Sequence, residues 1–97
     1  MKITITQKED VEQVALEGRL DTLTAPDLEK ELGTLEGVKE LYIDCRDLDY
    51  ISSAGLRILL SMQKTMNRQG SMKLCHVGET IMEILEVTGF VDILTIE

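Results

Sequence analysis

The stretch "DLDYISSAGLRILL", residues 47–60, decides the fold. It follows the alternating segment "ELYIDC", where Leu41, Ile43 and Cys45 share one face as in a half-buried strand. It ends in an apolar run at helical spacing, so a strand passes into a helix across Ser52, Ser53, Ala54 and Gly55. Ser52 or Ser53 supplies the N-cap, the helix runs to about Gln69, and Gly70 supplies its stop. Leu59, Met62 and Met66 form the inward stripe, helped by Leu56 and Ile58. Glycine inside a helix costs about 1 kcal/mol relative to alanine. Gly55 in the first turn therefore implies that another group comes close to the helix start, and a partner protein is the expected visitor.

Toward the N-terminus, "KITIT" and "VEQVALEG" alternate on either side of the acidic turn "KED", the pattern of a β-hairpin. "TAPDLEKELGTLEG" then reads as a helix. Thr24 caps it, Asp27 completes a capping box, Pro26 fits the first turn, and Ala25, Leu28, Leu32 and Leu35 recur on one face. Toward the C-terminus, "SMKLCHVG" reads as a strand, "ETIMEILEVTG" as a helix ending at Gly89, and "DILTIE" as a last strand. Strands and helices alternating in this way predict parallel pairs joined by helical crossovers. The expected fold is a single α/β domain over residues 1–97. Its sheet is mixed and mostly parallel, with an N-terminal hairpin and helices packed mainly on one face.

Composition narrows the function. Lys plus Arg number 10 against 18 Asp plus Glu, a net charge of −8, which disfavours the phosphates of nucleic acids and anionic lipid heads. No apolar segment reaches the length of a membrane span, and "MKITITQKED" lacks the layout of a signal peptide. Cys45 and Cys75, both within apolar runs, read as buried reduced thiols of a cytoplasmic protein. The two tyrosines and one phenylalanine leave an aliphatic, methionine-containing core.

Catalysis finds little to work with. His76 is the sole histidine and sits in an otherwise apolar segment, and "SSAG" lacks the leading glycine of the hydrolase elbow. One histidine and two separated cysteines make no metal-ligand set, the acidic pairs Asp47/Asp49 and Glu9/Asp10 lack calcium-loop spacing and read as solvated loop acids, and there is no Gly-rich phosphate loop. The chain is expected to be no enzyme and to carry no cofactor. The serine pair remains. A hydroxyl at a helix N-terminus is a good place for a phosphate, because the helix dipole and free N–H groups tolerate an anion there. Arg57, one turn after Ser53, begins a cationic stripe with Lys64 and Arg68 and is placed to pair with such a phosphate.

"DLDYISSAGLRILL" resembles the signature of the STAS family, the domain of bacterial anti-sigma-factor antagonists. "LEGRLDTLTAPDLEKEL" is similar to the family's second strand, loop and first helix, and "SMKLCHVGETIMEILEVTGFVDILTI" to its closing elements. The resemblance implies an antagonist that binds an anti-sigma factor, itself a serine kinase, and is released when that kinase phosphorylates it. A metal-dependent serine phosphatase restores it. The acceptor position falls on Ser53, with Ser52 as rival, and Asp21 matches a family position near the acceptor. Ser52 stands where an aspartate is common, and Ala54 where a second hydroxyl residue is common. The expected partner-binding residues are Asp21, Thr22 and Thr24 of the loop, with Ser52, Ala54, Gly55 and Arg57 of the helix start. The alternative is an unphosphorylated accessory STAS module of a transporter or lipid-transport complex.

Overall fold

The computed structural model describes every residue, Met1–Glu97. Strand β1 (Lys2–Lys8) turns through Glu9 and Asp10 into β2 (Val11–Leu20). Their antiparallel register sets Ile3 against Leu16 and Ile5 against Val14, so the alternating apolar residues meet on one face. Helix α1 (Ala25–Leu32) carries the chain over to β3 (Glu40–Ile51), which pairs parallel with β2. Helix α2 (Ser53–Gln69) leads to β4 (Ser71–Cys75), parallel to β3, and helix α3 (Glu79–Thr88) follows. The sheet order is β1-β2-β3-β4, a mixed sheet with one antiparallel pair.

Period two in the strands sends Val14, Leu16, Leu41, Ile43, Cys45, Met72 and Leu74 to one face, where all are buried. The helices bury Leu28 and Leu32 of α1, Leu56, Leu59, Met62 and Met66 of α2, and Ile81 and Leu85 of α3 in the same core. The opposite face carries the rows Gln13–Tyr42–Lys73 and Ala15–Asp44–Cys75, which are half-buried or exposed. The helices thus cover one side of the sheet. Two polar residues are buried: Gln63 of α2, whose Nε2 donates to Asn67 Oδ1 (2.9 Å), and Glu12, whose Oε2 has no hydrogen-bond partner and whose pKa desolvation raises.

Several expectations change at the ends of elements. The predicted last strand over "DILTIE" is a one-turn 3-10 helix (Phe90–Asp92) followed by a single parallel bridge from Ile96 to Leu74. The carbonyl of Phe90 accepts from the amides of both Ile93 and Leu94, so the chain stays coiled through Leu94 and meets β4 only at Ile96. Helix α1 stops at Leu32, and Leu35 reaches the core from the following loop. That loop is pinned by Gln69, whose Nε2 donates to the carbonyls of Leu35 and Val38 at 2.7 Å each. Asp47 and Asp49 lie on an extended β3 rather than in a loop: Asp47 pairs with Glu17, and Asp49 falls at a register shift between Leu48 and Tyr50, opposite no residue of β2.

Gly70 ends α2 as expected, for a different reason. Its backbone is extended (φ 179°), open to any residue, but a Cβ there would collide with the backbone of Lys39, including its carbonyl oxygen. The cysteines divide. Cys45 is in the core, where burial pushes its thiol up to about 12. Cys75 is only half-buried on the other face; burial and a hydrogen bond to Glu97 (2.9 Å) raise it to about 11. His76 lies after β4 rather than within it, exposed, with its Nε2 3.1 Å from the Arg46 guanidinium.

Candidate functional site

Parallel pairing of β2 with β3 brings their C-terminal ends side by side, Leu20 opposite Ile51. The loop at residues 21–24 and the start of α2 therefore emerge together from one end of the sheet. The amide of Ser52 donates to the carbonyl of Leu20 (2.9 Å), which ties the two junctions directly.

Asp21 organises the loop. Its Oδ1 accepts from the amides of Leu23 (3.0 Å) and Thr24 (3.2 Å), while its own carbonyl accepts from the amide of Ala25 (2.8 Å). Arg19 lies 3.7 Å from the other carboxylate oxygen and stacks on the Tyr50 ring, 4.3 Å from its centroid. Desolvation pushes the Asp21 carboxyl up. The two backbone amides, the Thr24 hydroxyl and the Arg19 charge outweigh that and hold it below its ordinary value. Thr24 does not cap α1 through its side chain, a correction to the sequence reading. Its hydroxyl donates to the carbonyl of Arg19 (2.7 Å) and accepts from the amide of Asp21 (2.8 Å), so it braces the loop instead.

The two serines separate in role. Ser52 is the N-cap of α2: its Oγ accepts from the amide of Gly55 at 3.4 Å, a long bond, and its carbonyl accepts from the amide of Leu56 at 2.9 Å. Ser53 is the first helical residue and is exposed, with none of these ties. Ala54 is half-buried. Arg57 is exposed on the same side as Ser53 and lines a groove with Thr22, Ala54 and Ile58.

Gly55 is where the sequence reading needs most correction. It is buried, and a Cβ there would lie 2.7 Å from Leu20 Cγ, 2.8 Å from Leu20 O and 3.0 Å from Ile51 Cγ2. The close approach comes from the chain's own β2, not from a visitor. Conversely, Leu23 escaped the sequence reading. It stands 85% exposed at the tip of the Asp21 loop, and no periodic pattern marks a lone leucine between two threonines.

The structure contains no group of three or more His, Cys, Asp or Glu side chains placed to hold a metal ion. No helix is long and apolar enough to cross a membrane. What the site offers is a braced rim with two free hydroxyls, Thr22 and Ser53, one apolar tip and one free guanidinium.

The sequence matches the STAS domain family over residues 2–97, and the chain belongs to that family. The BtrV protein of Bordetella bronchiseptica is 34% identical over 96 residues, spanning 96% of this chain and 83% of its own. The anti-sigma-B factor antagonist of Bacillus subtilis is 32% identical over 98 residues, 99% of this chain and 90% of its own. The Bacillus cell-fate determinant SpoIIAA, solved in its phosphorylated form, superposes with a TM-score of 0.76 at 14% identity. That match covers 99% of this chain and 91% of SpoIIAA, and at such identity it shows a shared fold.

Proposed function

We propose that residues 1–97 act as one STAS domain, an anti-sigma-factor antagonist controlled by phosphorylation of Ser53. It binds an anti-sigma factor that is also a serine kinase, in the cytoplasm, and serves that kinase as a substrate rather than as an enzyme. The observation that carries the reading is the exposed Ser53 hydroxyl at the first residue of α2, beside a Ser52 already committed to capping. Family membership and the name of the Bacillus subtilis relative support it.

A phosphate on Ser53 sits at the positive end of the helix dipole, so the fold tolerates it. Arg57, four residues on, is exposed and paired with no carboxylate, and is free to meet that phosphate. The switch acts at the interface: a charge of about −1.5 to −2 must be desolvated or repelled before the partner binds. Each 1.4 kcal/mol of that penalty, roughly, is tenfold in affinity, so a few kcal/mol suffice for release. A metal-dependent phosphatase then resets the hydroxyl.

The test is a pull-down from the native organism, with mass spectrometry on the partner and on residues 46–57. A kinase-type anti-sigma factor, with phosphate on Ser53 in the unbound pool, is the expected result. Phosphate on Ser52 alone would move the acceptor to the capping residue. Transport proteins as partners with no phosphate on either serine would replace this reading with the accessory-module one.

A further inference from the structure

Charge is unevenly placed on this protein. In a chain of net charge −8, helix α2 carries Arg57, Lys64 and Arg68 and not one Asp or Glu. All three cations are exposed, and none has a carboxylate within the 4.0 Å of an ion pair; the one such pair in the protein joins Arg19 to Asp21. An acidic protein thus leaves three cations without an ion-pair partner on one helix face.

Leu23 follows Thr22 in the loop, and Thr22 lines a groove with Ala54 and Arg57 at the start of that helix. The 85% exposure of Leu23 puts almost the whole side chain in water. The loop beneath it is held by the amides of Leu23 and Thr24, which donate to Asp21 Oδ1, and by the Thr24 hydroxyl, which donates to the Arg19 carbonyl. A leucine on a braced loop loses little backbone freedom when it is buried by a partner, which lowers the cost of association. The groove, of about 300 Å³ between α1 and α2, is lined by Ala25, Pro26, Ala54 and Ile58 together with Arg57 and Glu29. An apolar centre with a charged border is the anatomy of a protein interface.

We propose that Leu23, this groove and the cationic face of α2 form one docking surface, and that its occupant is a folded protein presenting an apolar pocket bordered by carboxylates. The inference rests on the anti-sigma-factor reading above and adds the chemistry of the partner's face. Leu23 is the anchor, and Arg57, Lys64 and Arg68 meet the carboxylates. The same arrangement gives release a direction: a phosphate on Ser53 repels those carboxylates and competes with them for Arg57, one helical turn away.

The experiment uses the kinase recovered in the pull-down, purified, and calorimetry with the full chain. Leu23→Ser is expected to weaken binding about 10- to 100-fold, as loss of an interface anchor does. Wild-type affinity is expected to fall when ionic strength rises from about 0.05 to 0.5 M, and the double variant Lys64→Glu/Arg68→Glu to weaken binding and flatten that dependence. Val87→Ser, which alters an equally exposed residue on α3, is the control and leaves affinity unchanged. Thermal unfolding confirms that each variant is folded. Leu23→Ser binding within twofold of wild type, or affinity indifferent to salt, overturns the inference and leaves the functional reading standing. Recovery of no kinase at all overturns both.

Discussion

At the N-terminal end of α2, Gly55 lets Leu20 lie against the helix; at the C-terminal end, Gly70 lets the backbone of Lys39 do the same. Each glycine closes a junction between the helix and a neighbouring segment, yet the surroundings differ. The first junction is held through an ionised side chain, Asp21, and a capping hydroxyl, Ser52. The second is held by the neutral amide of Gln69 on two carbonyls. The first also leaves Ser53 and Leu23 exposed beside it. A glycine at a helix end therefore says nothing by itself about a partner. The end proposed here as functional is distinguished by what stays uncovered.

The comparison breaks most visibly if the two glycines respond alike to a methyl group. Gly70→Ala meets rigid backbone, so it is expected to lose about 3 kcal/mol or more of stability, read from the urea midpoint. Gly55→Ala meets the flexible end of Leu20 as well as its carbonyl. A packing cost of about 1–3 kcal/mol, partly offset by a helix-propensity gain of about 1 kcal/mol, leaves a smaller loss. A Gly55→Ala protein of unchanged stability that fails to bind its partner would restore the docking role that the packing denies.

The serines sharpen the contrast within one end. Ser52→Ala removes the cap and is expected to cost about 1 kcal/mol. Ser53→Ala is expected to stay within about 0.5 kcal/mol of wild type while losing its phosphate, since its hydroxyl supports nothing in the fold. Equal losses of stability would erase the division of labour between them.

The smallest effect is acid titration. Asp21 titrates lower in the folded chain than in the unfolded one. Its contribution is complete above the ordinary carboxylate range and disappears as pH falls through the folded value. Amide protection at Leu23 and Thr24 is expected to drop there, with protection around the Gln69 contacts unchanged. A uniform loss at both ends would mean that the whole domain, and not the loop, is responding.

Much of this architecture was legible in the sequence because its signals are local. The hairpin follows from the alternation of Ile3, Ile5, Val14 and Leu16, and the bounds of α2 from the serine pair and Gly70. Two of the misreadings share a cause, a contact between residues distant in the chain. Whether Gly55 faces a partner or Leu20 is settled by β2–β3 pairing, which no local pattern encodes. Leu35 keeps its burial without its helix because Gln69 holds the loop. The C-terminal segment has strand composition but is drawn into a 3-10 turn by the Phe90 carbonyl. The serine pair was visible as a candidate site, whereas Leu23 was not, since exposure of a loop leucine leaves no periodic trace.

The parallel pairing of β2 with β3 has a consequence for folding kinetics. Parallel strands meet only after the helix between them has crossed over, so this ladder has high contact order and forms slowly compared with the β1–β2 hairpin. The neighbourhood of Asp21 and Ser53 exists only once that slow step is complete. A nascent or unfolded chain, or a linear peptide of residues 47–60, has the serine but not the braced loop. A kinase that reads both would therefore spare chains that have not finished folding.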